Sequence, residues 1–232
     1  MNPTLRILAV AALFVGAFAT AGCNDDNSTA PMPAARVLVV HASPDAPNVD
    51  LLVDNTLKGS GLAYPINTGY LSVTPRTRNV RVNVTGTSTT VINANLDLIN
   101  GANYAVFVAD SVSKIAPVVL TDNLATPAAG KVHVRFVQLS PNAPAVDVGV
   151  TGGGVVFGNK TFKQFTDFSP LDAGTYNLEV RLANTSTVVL PLPGITLATG
   201  MIYTGFAKGF VSGAGAQVLG AQIIVNNQRS AA

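Results

Sequence analysis

Two stretches of the sequence decide the fold, because one repeats the other. Residues 37–50 read VLVVHASPDAPNVD, and residues 134–147 read VRFVQLSPNAPAVD. Several residues of the first stretch return unchanged 97 positions later, among them Ser43, Pro44, Ala46, Pro47, Val49 and Asp50 as Ser140, Pro141, Ala143, Pro144, Val146 and Asp147. A period of this length exceeds that of solenoid repeats and matches a whole small domain.

The two copies stay in step further along the chain. Four more residues return at an offset of 99, namely Leu98, Gly101, Tyr104 and Phe107 as Leu197, Gly200, Tyr203 and Phe206. An offset that drifts by only two residues leaves room for few insertions. The sequence therefore predicts two tandem domains, at residues 36–124 and 132–226. The linker at residues 125–131 is rich in Ala and Pro, so we expect the domains to lie roughly end to end.

Apolar residues alternate with a period of two inside each copy. One face carries Val80, Val82 and Val84 in the first copy, and Leu178, Val180 and Leu182 in the second. Such alternation is typical of strands buried on one face. Short strands separated by turn residues predict an all-β protein of two tandem immunoglobulin-like antiparallel β-sandwich domains. The predicted strands are 36–42, 49–54, 79–84, 89–93, 103–109 and 116–120, then 131–139, 146–151, 177–182, 187–190, 201–207 and 216–225.

The N-terminal residues are typical of an export signal. A short basic start precedes the uncharged residues 7–22, a run shorter than the roughly 20 residues that span a bilayer. Small residues then precede Cys23, the only cysteine. This arrangement resembles the lipobox of bacterial lipoproteins, although Thr20 stands where that motif usually has Leu. An ordinary signal peptide that ends near a cysteine is the alternative.

Lipidation of Cys23 would place the protein in the bacterial cell envelope. A lipidated cysteine carries several acyl chains, which is what stable anchoring requires. Residues 1–22 would then be a lipoprotein-type signal peptide, and residues 23–35 a flexible tether, because they lack any hydrophobic period. Residues 227–232 are a short tail. We expect a protein anchored by its N-terminal lipid and facing the periplasm or the exterior.

The motif HASPDAPNVD at residues 41–50 closely resembles the opening of the bacterial family DUF4397, whose function is unknown. Segments LDAGTYNLEV at residues 171–180 and LATGMIY at residues 197–203 resemble later parts of the same family. The first copy departs from it at residues 74–78, and the second has Gln138 where the first has His41. The resemblance implies an extracytoplasmic β-sandwich module. It implies no catalytic residues.

The composition excludes several functional classes. Only 11% of residues are charged, the net charge is +2, and no basic block occurs, so we expect no nucleic-acid partner. The chain has two His and one Cys, which leaves few metal ligands and nucleophiles, and we predict no cofactor. A hydrophobic content of 48% nevertheless favours folded domains over disorder.

Three groups of residues are candidates for a site. His41, Ser43 and Asp45 have the types of a hydrolytic triad, but residues so close on one strand and turn do not converge easily. Asp45, Asp50 and Asp54 offer oxygen ligands for calcium. The alternative, which we favour, is that these aspartates stabilise turns. The glycines at residues 152–154 lack a following helix, so they favour a hairpin over a phosphate loop.

Aromatic residues provide the remaining candidates. Tyr104 and Phe107 recur at the same positions of the second copy, which favours core packing. Four phenylalanines occur in the second copy alone, namely Phe157, Phe162, Phe165 and Phe168. They are candidates for an exposed recognition surface, and the alternative is that they fill the core.

These observations favour a lipid-anchored, non-catalytic binding or spacer module, whose ligand is an envelope polymer or a protein. The alternative is an extracytoplasmic hydrolase, or an accessory carbohydrate-binding protein, that acts on envelope polymers. Glycosidases need a pair of carboxylates, and the chain has a single glutamate, Glu179.

Overall fold

The computed structural model describes residues 33–227. Sixteen strands and two single-turn 3-10 segments occupy the described residues. The first eight strands are β1 (Ala35–His41), β2 (Val49–Val53), β3 (Thr56–Leu62), β4 (Asn67–Val73), β5 (Arg76–Val84), β6 (Thr90–Leu98), β7 (Asn103–Ala109) and β8 (Ala116–Thr121). The other eight are β9 (Lys131–Gln138), β10 (Val146–Val150), β11 (Val155–Lys160), β12 (Ser169–Asp172), β13 (Gly174–Leu182), β14 (Val188–Leu197), β15 (Ile202–Lys208) and β16 (Gly220–Val225). The predicted all-β class is confirmed.

The first eight strands form a β-sandwich. Its two sheets have the strand orders β4-β1-β7-β8 and β3-β2-β5-β6. Alternate residues of the first sheet, such as Val39 and Val106, are buried against Leu51 and Val82 of the second. Since successive side chains of a strand point to opposite faces, each strand contributes every second residue to this core.

The last eight strands repeat the arrangement, in the orders β12-β9-β15-β16 and β11-β10-β13-β14. Phe136 and Phe157 stack inside this second sandwich with their ring centroids 6.4 Å apart. Two β-sandwiches are thus confirmed. The prediction of antiparallel sheets holds except for one parallel pair in each sandwich, β1 with β7 and β9 with β15.

The two sandwiches also share a core. Sheets β4-β1-β7-β8 and β12-β9-β15-β16, here called the inner sheets, bury Leu38 and Phe107 in one cluster with Val137 and Phe206. The expectation that the domains lie end to end is therefore wrong. The physical reason lies in residues 37–40, which are apolar at consecutive positions. A strand of this kind has two apolar faces, and both must be buried.

Equivalent residues meet across the shared core, as they do at a two-fold axis. The rings of Phe107 and Phe206 pack edge to face with centroids 5.7 Å apart. Away from this pair, Lys163 Nζ lies 3.0 Å from Asp110 Oδ2, and Lys208 Nζ lies 5.3 Å from the centre of the Tyr64 ring. Both cations come from the second repeat, and both contact side chains of the first.

The twelve predicted strands are all present, with shifted ends. Four further strands were missed: β3, β4, β11 and β12. Each lies at the edge of its sheet. Edge strands keep one side unpaired and tolerate Gly, Pro and polar residues, so their apolar alternation is weak.

The predicted signal peptide, Cys23, most of the tether and most of the tail lie outside the described residues. Between residues 33 and 227, no helix is long and apolar enough to cross a membrane.

Candidate functional site: an apolar cavity and a buried polar cluster

The polar residues His41 and Asp45 of the repeated motif form hydrogen bonds with backbone groups. His41 is fully buried, and its Nε2 donates to the Pro47 carbonyl at 3.0 Å, so this nitrogen carries the proton. Burial lowers the pKa of His41, which keeps the ring neutral. Asp45 instead accepts from the backbone N–H of Val112 at 2.8 Å. Histidine and carboxylate therefore engage different partners, and no relay to Ser43 is formed among the described residues.

Asp50 and its equivalent Asp147 hold turns together. Asp50 Oδ1 accepts from the Gly61 N–H at 2.8 Å and from the Thr85 hydroxyl at 2.9 Å. The hydrogen bond from Gly61 is the main cause that lowers the pKa of Asp50. Asp147 likewise accepts from two backbone N–H groups, those of residues 159 and 184. This shared role explains why the aspartate returns in both copies.

The two weak metal candidates, Asp45 and Asp50, are thus occupied by backbone donors. Residues 33–227 contain no cluster of three or more His, Cys, Asp or Glu side chains that could hold a metal ion. The glycine-rich segment at residues 152–154 lies in the hairpin between β10 and β11, as predicted.

The four phenylalanines do not share one exposed surface. Phe157 is buried in the core of the second sandwich, because alternation on β11 points it inward, so its assignment to an exposed surface is wrong. Phe162 is half-buried beside Lys163, whose Nζ lies 4.9 Å from the ring centre. Phe165 remains 46% exposed. Phe168 is half-buried under the Arg135 guanidinium, 4.4 Å from the ring centre.

A cluster of buried polar side chains joins the inner sheets. Arg135 of β9 reaches across to Asp122, which follows β8, with Nη2 2.6 Å from Oδ1. Both side chains are almost completely buried. Arg135 Nε also donates to the Thr204 hydroxyl at 2.9 Å, which donates to Asn226 Oδ1 at 2.8 Å. The chain of hydrogen bonds therefore begins in one sandwich and continues through the other.

Tyr70 of β4 completes this cluster. Its hydroxyl donates to Asp122 and accepts from Asn226 Nδ2 at 3.2 Å. Burial, reinforced by the Asp122 charge, raises the pKa of Tyr70 far above its usual value, so the phenol stays protonated as a donor. Because a buried charge is stable only when paired and hydrogen-bonded, the cluster fixes how the inner sheets sit on each other.

The second sandwich contains a cavity of about 450 Å³ between its two sheets. Its walls are mostly aliphatic and aromatic, with Phe157, Leu192 and Ile195 on the outer sheet and Val134 and Gly205 on the inner sheet. The volume falls in the range of small-molecule sites, about 300–1,000 Å³, and sites of that kind are mostly apolar. This cavity is the best candidate for a ligand site within residues 33–227.

The first sandwich is closed at the corresponding positions. Val37, Val53 and Val80 are 4%, 7% and 4% exposed, whereas their equivalents Val134, Val150 and Leu178 remain partly accessible. The last three line the cavity. The two repeats thus have one architecture and two different interiors.

Comparison with known families bears on the first repeat. Residues 35–149 match the family model described as "Domain of unknown function (DUF4397)". A DUF4397 domain is present there. The matched residues cover the first sandwich and continue through β9 into β10. No curated protein matches the chain.

Proposed function

We propose that this protein is a lipid-anchored protein of the bacterial cell envelope whose two DUF4397-type sandwiches form a non-catalytic binding module. Cys23 would carry the lipid, and the polar residues that follow it would hold the module away from the membrane surface. The second sandwich would be a second, diverged copy of the DUF4397 domain, in keeping with the motif at residues 134–147.

The observation that supports binding is the apolar cavity of the second sandwich. Protein interiors are normally packed without large voids, and in the first sandwich Val37, Val53 and Val80 are buried where their equivalents line the cavity. A pure spacer would gain stability from filling the second interior as well. An open interior in only one copy is therefore better explained by a ligand than by a mechanical role.

A non-catalytic role is supported by the burial of the polar side chains that a catalytic site would need. A general base or nucleophile needs access to a substrate, and His41 and Ser43 are fully buried. Glu179 is also largely buried, and its carboxylate is 2.6 Å from Arg181 Nε. These groups stabilise the fold, and none of the three lines the cavity.

Lipid attachment is tested by metabolic labelling with an alkyne-bearing fatty acid. The native protein should be labelled and sediment with membranes, whereas a Cys23→Ala variant should not be labelled. Mass spectrometry of the mature N-terminus provides the second readout. An unmodified Cys23 in the mature protein would overturn the anchor.

Binding is tested on a chain that begins at Pro33, since this chain contains every described strand. Its thermal unfolding is compared with and without peptidoglycan fragments, oligosaccharides, phospholipids and apolar small molecules. A ligand at 100 times its Kd adds about 2.7 kcal/mol, which raises Tm by roughly 5–10 °C for a unit of this size. No shift with any class would favour the spacer role, and release of cleavage products from a polymer would favour the hydrolase.

A further inference from the structure

We propose that the cavity of the second sandwich binds a neutral hydrocarbon group, and that Gly205 is the residue that keeps the cavity open for it. This inference rests on the proposed binding function and names its ligand class. It starts from a difference between the two copies at one inward-facing position. Val106 of β7 fills the first core and is 3% exposed, and the residue 99 positions later is Gly205.

The equivalence of these positions follows from the pairing of the strands. Val106 pairs with Val39 of β1 and with Val119 of β8. Gly205 pairs with Phe136 of β9 and with Ile223 of β16, and both of these residues line the cavity. The glycine therefore lies in the middle of an inner sheet, with a strand on each side.

The backbone does not require glycine at this position. Glycine inside a strand weakens it, and usually marks a bulge, a close approach of another backbone, or the close approach of a ligand. The register around Gly205 is regular on both sides, which excludes a bulge. A Cβ built on Gly205 would have the Arg135 carbonyl oxygen as its nearest neighbour, at an ordinary contact distance of 3.8 Å. A bulge and a close backbone approach are thus excluded, and the space at Gly205 is open to a ligand.

The chemistry of the walls selects the ligand class. The Arg135 guanidinium is directed to Asp122 and Thr204 in the shared core, so it is not available to an anion. The hydroxyl of Tyr203 accepts from the Ala198 N–H at 3.0 Å, and that of Tyr176 donates to the Asp172 carbonyl at 2.8 Å. The polar groups of these lining residues are thus already hydrogen-bonded, and the ligand they leave room for is uncharged and apolar.

The size of the cavity is sufficient for such a group. An engineered apolar cavity of about 150 Å³ stays dry and binds benzene. The volume here, about 450 Å³, is larger and is lined in the same way. It fits one hydrocarbon chain or ring system, either free or as the acyl chain of a lipid.

The test uses the chain that begins at Pro33 and the neutral fluorescent probe N-phenyl-1-naphthylamine. The native chain should bind the probe, and decanol should displace it. Gly205→Val, which copies Val106, should raise the Kd of the probe at least tenfold while circular dichroism and Tm show an intact fold. Gly154→Val adds the same side chain to an exposed glycine with open space around it and should bind as the native chain does.

Three ligands with the same ten-carbon chain distinguish a neutral from an anionic ligand, and a lipid acyl chain from a free hydrocarbon. Decanol should bind more tightly than decanoate, because Arg135 is the only cation among the described residues that line the cavity and it is paired with Asp122. Tighter binding of decanoate would overturn the neutral class. Binding of decanoyl lysophosphatidylcholine below its critical micelle concentration would identify a lipid acyl chain as the source, and binding of decanol alone would identify a free hydrocarbon.

Methyl NMR on the native chain keeps the test decisive if Gly205→Val does not fold. Decanol should shift the methyl signals of Leu192 and Ile195 in the cavity and leave those of Val80 and Ile92 in the first core unchanged. Shifts in both sandwiches, or in neither, would overturn the inference. The proposed binding function would survive that result if another class of envelope component still raised Tm.

Discussion

Replacement of Phe206 by alanine tests whether the two sandwiches unfold together. Phe206 is completely buried in the core that the inner sheets share, and its ring packs against Phe107 of the other repeat. Truncation of a buried phenylalanine costs about 3–5 kcal/mol, through lost burial and the cavity left behind. Because the lost contacts belong to both repeats, the free energy of unfolding of the whole unit should fall by this amount.

The size of the Tm shift distinguishes one cooperative unit from two. For a unit of 150–250 residues, 1 kcal/mol corresponds to roughly 2–4 °C, so Phe206→Ala should lower a single transition by about 10 °C. An independent second sandwich is about half that length, and its own transition would move by roughly twice as much while the first stayed in place.

Differential scanning calorimetry of the chain that begins at Pro33 is the assay. One transition, with equal calorimetric and van't Hoff enthalpies, is expected for native and variant proteins. Phe165→Ala is the matched control, because that ring is 46% exposed and its loss should cost less than about 1 kcal/mol. Two transitions, of which Phe206→Ala moves only one, would refute the reasoning from a shared core.

Three further predictions concern polar groups. In denaturant titrations, Asp122→Ala should lower the free energy of unfolding by about 3–5 kcal/mol, because Arg135 would be left buried and unpaired. The double variant Asp122→Leu with Arg135→Met should recover most of this loss. Burial lowers the pKa of His41, so the unfolded chain binds a proton first, and the free energy of unfolding should fall as pH drops below about 6.5. His41→Gln should flatten this slope between pH 7 and 5, and an unchanged slope in this variant would contradict the assignment. Asp50→Ala should lower the free energy of unfolding by about 1 kcal/mol at pH 7. Because hydrogen bonding lowers the pKa of Asp50, this difference from the native chain should disappear in acid titrations as pH falls through that lowered pKa.

The fold could be predicted from the sequence because its strongest signals are local. Alternation such as that of Val80 and Val82 marks a strand without reference to the rest of the chain. The edge strand β12 has no such signal, since it is four residues long and includes Pro170. The packing of the inner sheets was missed although residues 37–40 carry two apolar faces, because the sequence does not say which surface covers the second face.

The candidate site was less predictable, because its features depend on partners far apart in the sequence. Arg135 replaces Leu38 of the first copy, and nothing near it in sequence indicates that Asp122 pairs with its charge. Gly205 opposite Val106 is visible in an alignment of the two copies. Its meaning becomes clear only when the strand register excludes a bulge and the surrounding atoms leave room for a side chain.

The shared core explains how one repeat can have an open interior. An unfilled cavity and a glycine inside a strand both reduce stability, and a small sandwich has only about 5–15 kcal/mol to lose. Here the inner sheet of the second sandwich is covered on its other face by the first, through Val137 and Phe206. Its strands β9 and β15 are thus held from outside the cavity. The duplication separates two tasks that conflict within one sandwich: the first copy packs tightly, and the second keeps the space that a ligand needs.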